Sequence, residues 1–152
     1  MGVVMFYQLS RSGAEQTVRT LLDRAMGQGW RIMIRSTDAA ALNRLDERLW
    51  LQPEDGFLPH GREGGSADAD QPVLLGMGAI TNGAKGLMLL EQAEASETEA
   101  RDLERVWVIF DGANEDQLMS ARRYWKHITD LGLAAQYWSE DSGRWEKRAE
   151  KN

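Results

Sequence analysis

Apolar positions along the chain fall into two rhythms. Residues Val3–Leu9 form a continuous apolar, β-prone run that stops at Ser10-Arg11-Ser12-Gly13, the pattern of a buried strand followed by a turn. From Ala14 to Met26 the rhythm changes: Val18, Leu21, Leu22, Ala25 and Met26 recur at helical spacing, and Gly27 and Gly29 supply the stop. Arg31–Arg35 predicts a short second strand. Thr37 or Asp38 is placed to cap a further helix that carries Ala41, Leu42, Leu45, Leu49 and Trp50 on one face. Strand, helix, strand, helix predicts a parallel sheet.

The middle of the chain is less regular. Gln52–Pro59 reads as a loop with Pro53 and Pro59, and residues 60–71 are polar, acidic and Gly-rich, which predicts a mobile surface loop. Pro72–Leu75 and Gly86–Leu90 read as short strands on either side of a glycine turn of hairpin type, and Gln92–Glu104 as an acidic, solvated stretch. Arg105–Phe110 predicts a buried strand ended by Asp111-Gly112. Glu115–Leu131 has the clearest helical pattern in the chain and is closed by Gly132. Ala134–Ser139 returns as a strand, and residues 144–152 follow as a basic C-terminal tail. No repeat or linker divides residues 1–152, so the reading is one α/β domain.

Composition narrows the function classes. A chain of 152 residues buries roughly 68–70% of its unfolded surface and needs no metal or disulfide to hold a core. With no cysteine it suits a reducing compartment and offers neither thiolate ligands nor a Cys nucleophile. No run approaches the ~20 apolar residues of a membrane span, and the N-terminus lacks the features of a secretory signal, so the expectation is a soluble cytoplasmic protein. A net charge of −6 disfavours direct wrapping of nucleic-acid phosphates.

Motifs for catalysis are missing. The turn after the first strand, where a phosphate cradle belongs, has neither Gly-x-Gly-x-x-Gly nor Gly-Lys-Ser. The nearest approach, Gly78-Ala79-Ile80-Thr81-Asn82-Gly83-Ala84-Lys85-Gly86, places its lysine one residue late and lacks the following hydroxyl. His60 and His127 have no ligand partner at a metal-binding spacing, and no Gly-x-Ser-x-Gly elbow occurs. The expectation is no catalytic residue, no metal and no cofactor.

The helix Glu115–Leu131 is more informative. At 100° per residue Leu118, Ala121, Tyr124, Trp125, Ile128 and Leu131 share one arc, and Arg122 and Lys126 share a strip beside it. Such a strip is either a solvated helix face or a site for an external anion, because like charges at i and i+4 repel. From residue 119 onward seven Lys/Arg face five Asp/Glu, a net of +2, which leaves −8 on the rest of the chain. A basic, aromatic-flanked patch on an acidic body suits an acidic peptide or a terminal carboxylate. A second cluster, Leu49-Trp50 with Phe57-Leu58-Pro59-His60, either closes the core or forms an apolar protein interface.

Several ordered segments resemble the chi-subunit family of bacterial DNA polymerase III. They are Phe6-Tyr7-Gln8-Leu9, the Leu21–Arg35 stretch with Gly29 and Arg31, Leu45-Asp46-Glu47-x-Leu49-Trp50, Phe57-Leu58-Pro59-His60 and Gln71-Pro72-Val73-Leu74. Phe110-Asp111-Gly112, Ala121-Arg122-x-x-Trp125-Lys126, Gly132, Tyr137-Trp138 and Trp145 complete the set. The resemblance implies a single three-layer Rossmann-like α/β domain with a mostly parallel sheet, no phosphate-binding loop, and no catalysis by this chain itself. It implies an adaptor in DNA replication that grips the acidic, Phe-ending C-terminal tail of single-stranded DNA-binding protein. Arg122, Lys126, Trp125 and Tyr124 are the matching site, with Trp125 walling the pocket from below. It further implies a link to the clamp loader through the psi subunit at Trp50, Phe57, Leu58 and Pro59, and contact with DNA only through its partner. Two other classes compete: a nucleotide-binding enzyme on the same scaffold, and direct DNA binding through Arg122, Arg123, Lys126 and the basic tail.

Overall fold

The computed structural model describes residues 2–51 and 59–152. The chain runs β1 (Val3–Leu9), α1 (Ala14–Gly27), β2 (Ile32–Arg35), α2 (Ala39–Leu51), β3 (Gly61–Arg62), β4 (Val73–Gly76) and β5 (Gly86–Leu89). It continues through α3 (Glu97–Asp102), β6 (Arg105–Asp111), α4 (Glu115–Asp130), β7 (Ala135–Ser139) and β8 (Glu146–Lys151). One eight-stranded sheet has the order β3-β4-β2-β5-β6-β1-β7-β8. Every described pairing is parallel except that of β7 with β8.

Two apolar layers make this a three-layer domain. On one face Val18, Leu21 and Leu22 of α1 and Leu42, Leu45 and Leu49 of α2 pack on Ile32, Ile34, Met88 and Trp107 of the strands. On the other, Ala100 of α3 and Ala121, Tyr124 and Ile128 of α4 pack on Phe6, Leu87, Val106 and Val108. Strands covered on both faces are apolar without alternation, which is why β1, β4, β5 and β6 read as unbroken hydrophobic runs.

Caps and turns follow the sequence closely. The Asp38 carboxylate accepts from the amides of Ala40 and Ala41 at the start of α2, and Asn114 accepts from Gln117 N at the start of α4. Gly132, at φ +79°, takes the left-handed position past the end of α4 that glycine occupies without steric cost. Gly86 serves close approach instead: a Cβ there would lie 2.5 Å from Cζ3 of Trp107.

Four expectations change. The strands β4 and β5 are not a hairpin; each pairs in parallel with β2, on opposite sides of it. Their connection is held by Asn82, which is buried and donates from Nδ2 to the carbonyls of Ile32 and Gln71 at 3.1 and 2.9 Å. The basic tail is strand β8, the antiparallel edge of the sheet. The acidic stretch 92–104 is not simply solvated: α3 sits within it behind a Ser96/Glu99 capping box, and Ala93, Ala100 and Leu103 are buried. The Gly-rich segment 60–71 contributes β3 to the sheet and a short 3-10 turn, with the Asp68 carboxylate accepting from the amides of Gly64 and Gly65.

Candidate functional site

Helix α4 lies over the β1–β7 side of the sheet and opens a groove toward β8. The groove has a volume of about 450 Å³, and Arg122, Trp125, Tyr137, Ser139, Asp141 and Arg148 line it with Gln8 and Ala149. Its floor is aromatic. Trp125 meets Phe6 edge-on at 5.4 Å and Tyr137 edge-on at 5.8 Å, while Tyr137 stacks on Phe6 at 6.1 Å. The Tyr137 hydroxyl donates to Oε1 of Gln8 at 2.5 Å, fixing the ring. Burial pushes the Tyr137 phenol up, opposed by the positive charge of Arg122 and reinforced by Asp141, so both charges act on the floor of the groove.

The walls carry the cations. Arg122 projects from α4 and Arg148 from β8, both exposed. Neither guanidinium takes part in an ion pair or hydrogen bond among the described residues. Seven ion pairs do occur there, and none uses either arginine. Two uncommitted guanidinium groups over an aromatic floor suit a ligand that combines carboxylates with an apolar ring.

The four residues expected at this site divide evenly. Arg122 and Trp125 line the groove, and Trp125 forms its floor. Tyr124 points into the core, with 4% of its surface exposed. Its hydroxyl accepts from the Ala95 amide at 3.1 Å and donates to the Ala95 carbonyl at 3.2 Å, and burial pushes its pKa up to about 12. Lys126 lies outside the groove lining and pairs with Asp130 at 2.8 Å, a contact that raises its pKa. Tyr137 and Arg148 were missed as site residues. The usable signal was Ser142-Gly143, a turn dipeptide between the Tyr137-Trp138 strand and a charged run.

The second expected surface is partly described. Trp50, at the end of α2, is 52% exposed and packs its ring 4.2 Å from that of His60. His60 is itself buried, with Nε2 3.1 Å from both Oδ1 and the carbonyl oxygen of Asp46. Leu51 beside it is 71% exposed, and Pro59 is half-buried. Phe57 and Leu58 lie outside the described residues.

The opposite face of the sheet holds a second concavity of about 390 Å³ beside α1, lined by Tyr7, Trp30, Trp138, Trp145, Arg24 and Arg105 among others. The loop where a dinucleotide fold would hold phosphate is already occupied. The Ser12 amide donates at 2.8 Å to Oε1 of the chain's own buried Glu140. Among the described residues no group of His, Asp and Glu side chains is placed to hold a metal ion, and no helix is long and apolar enough to cross a membrane.

This fold is a three-layer α/β domain with an aromatic-floored, two-arginine groove between α4 and the β7–β8 edge. The chain belongs to the family described as DNA polymerase III chi subunit, HolC, which matches residues 1–136. It is 31% identical over 80 residues to the DNA polymerase III subunit chi of Pseudomonas aeruginosa, covering 53% of this chain and 55% of that protein. It is 34% identical over 62 residues to the subunit chi of Escherichia coli K12, covering 41% and 42%. The chain thus aligns with about half the length of these curated relatives.

Proposed function

We propose that this protein is a non-catalytic adaptor of the bacterial DNA polymerase III holoenzyme in DNA replication. It binds the acidic, Phe-ending C-terminal tail of single-stranded DNA-binding protein and links it to the clamp loader through the psi subunit. The observation that carries this reading is the pair of uncommitted guanidinium groups, Arg122 and Arg148, over the Trp125–Tyr137 floor, in a chain of the chi family. The floor takes the terminal phenylalanine ring, and the guanidinium groups take carboxylates through charge-assisted hydrogen bonds. The acidic body keeps DNA itself at a distance, so contact with DNA passes through the partner. Trp50, with Phe57, Leu58 and Pro59, is the surface for psi. The competing reading, a nucleotide-binding enzyme, would need phosphate where Glu140 already satisfies the Ser12 amide.

Calorimetric titration with a synthetic peptide carrying acidic residues and a free C-terminal Phe tests the reading. Binding in the micromolar range that weakens with salt, and falls at least about tenfold in Arg122→Ala, is expected. A wild-type protein that does not bind the peptide refutes the adaptor function. Unchanged affinity in Arg122→Ala refutes only the assignment of Arg122.

A further inference from the structure

Five of the eight residues lining the groove lie beyond the family match. That match ends at residue 136, inside β7, whereas Tyr137, Ser139, Asp141, Arg148 and Ala149 all line the groove. These residues belong to one hairpin, β7 turning at Gly143 into β8. The hairpin is fixed to the body. Ala149 pairs with Tyr137 across it, Tyr137 is bonded to Gln8 of β1, and the Glu140 carboxylate accepts from Ser12. Arg148 therefore stands on a wall tied to the central sheet.

We infer that Arg148 is a second, specificity-determining cation of the groove: Arg122 takes the terminal carboxylate of the bound tail, and Arg148 takes an acidic side chain upstream of the terminal phenylalanine. This rests on the adaptor reading and extends it to a part of the chain outside the family match. Covalent geometry supports the division. A terminal phenylalanine carries ring and carboxylate on one residue, so a ring on the Trp125–Tyr137 floor brings its carboxylate to the cation nearest that floor. Arg122 is that cation: it stands on α4 one turn before Trp125, whose ring forms the floor. Arg148 stands instead on β8, the outermost strand of the sheet, and faces the part of the peptide upstream of its terminal residue. Asp141, also in the lining, repels carboxylates from its own side and fixes the direction in which the peptide lies.

The test pairs variants of the full chain with variants of the peptide, measured by titration at low salt. The control is Arg123→Ala, an exposed arginine on α4 outside the groove lining. Arg148→Ala is expected to weaken the acidic peptide about five- to tenfold, and Arg148→Lys to restore most of the loss. Against a peptide whose acidic side chains are replaced by amides, Arg148→Ala should change nothing, whereas amidating the C-terminus should still weaken binding to Arg148→Ala. Arg148→Ala that binds the acidic peptide as tightly as wild type and Arg123→Ala do overturns the inference and leaves the adaptor reading standing. A wild type that binds no peptide overturns both. Circular dichroism confirms that each variant is folded.

Discussion

The guanidinium of Arg35 meets the carboxylate of Glu99 in two parallel hydrogen bonds, 2.9 Å from Nη1 to Oε1 and 2.7 Å from Nη2 to Oε2. This pair joins the end of β2 to the first turn of α3, across a sequence separation of 64 residues. The bonds from Arg35 hold the Glu99 carboxyl below its usual range, against the opposing effect of burial. A depressed carboxyl adds stability above its unfolded pKa, about 4.3, and that stability is lost as pH falls through the folded value. Glu99→Gln should therefore lower stability at pH 7 by about 1–2 kcal/mol, and the gap from wild type should close as the pH approaches 3. Urea unfolding at both pH values measures it. A gap of equal size at each pH would contradict the ion-pair origin.

Gly86 has no room for a side chain, because its missing Cβ would meet Trp107 at 2.5 Å and Cδ1 of Ile32 at 2.9 Å. Gly86→Ala should cost about 1–3 kcal/mol. The same substitution in a Trp107→Phe background should cost less, since the six-membered ring of the indole is the obstacle. A double-mutant cycle by denaturant unfolding reads the coupling directly.

Tyr124 was expected beside the bound phenylalanine and instead secures the segment before α3 through Ala95. Tyr124→Phe should lower stability by about 1–2 kcal/mol, because the Ala95 amide loses its partner. Affinity for the tail peptide should stay within about twofold of wild type. Thermal melts and peptide titration of one preparation separate the two effects, and a large loss of affinity in a fully folded variant would return Tyr124 to the binding site.

Trp50 is half-exposed at the end of α2, against the ring of His60. Trp50→Ala should change stability by less than about 1 kcal/mol while abolishing capture of the psi subunit in a pull-down. An unfolded Trp50→Ala protein would instead mean that this ring closes the core.

Sequence pattern located what local rules govern. The strand β1 and helix α4 fall almost where their periodicity places them, and the wheel that set Trp125 on the buried arc agrees with its half-buried contact with Phe6. Pattern failed where partners are distant in sequence. Glycines between β4 and β5 resemble a hairpin turn, yet Val73-Leu74-Leu75 and Leu87-Met88-Leu89 are apolar without alternation, the mark of strands covered on both faces. That cue outranks the turn residues. Strand β8 was illegible because an edge strand with charged side chains shows no apolar period, and Arg148 could not be set opposite Arg122 without knowing that β8 folds back on β7. The wheel set Tyr124 on the buried arc, where it lies. Its place in the site came only from the resemblance, and Lys126, on the strip with Arg122, is paired with Asp130 instead.

The two ends of the sheet have a further consequence for how the protein behaves when concentrated. One end is the two-residue β3. The other is Glu146-Lys147-Arg148-Ala149-Glu150-Lys151, whose outer edge is crowded with charge. Neither gives another chain a long, flat, apolar template on which to add a strand, and such templates are where fibrils and swapped dimers begin. Replacing Lys147, Glu150 and Lys151 with Val or Thr would leave Arg148 in place and create that template, and the variant should aggregate on standing more readily than the unaltered chain.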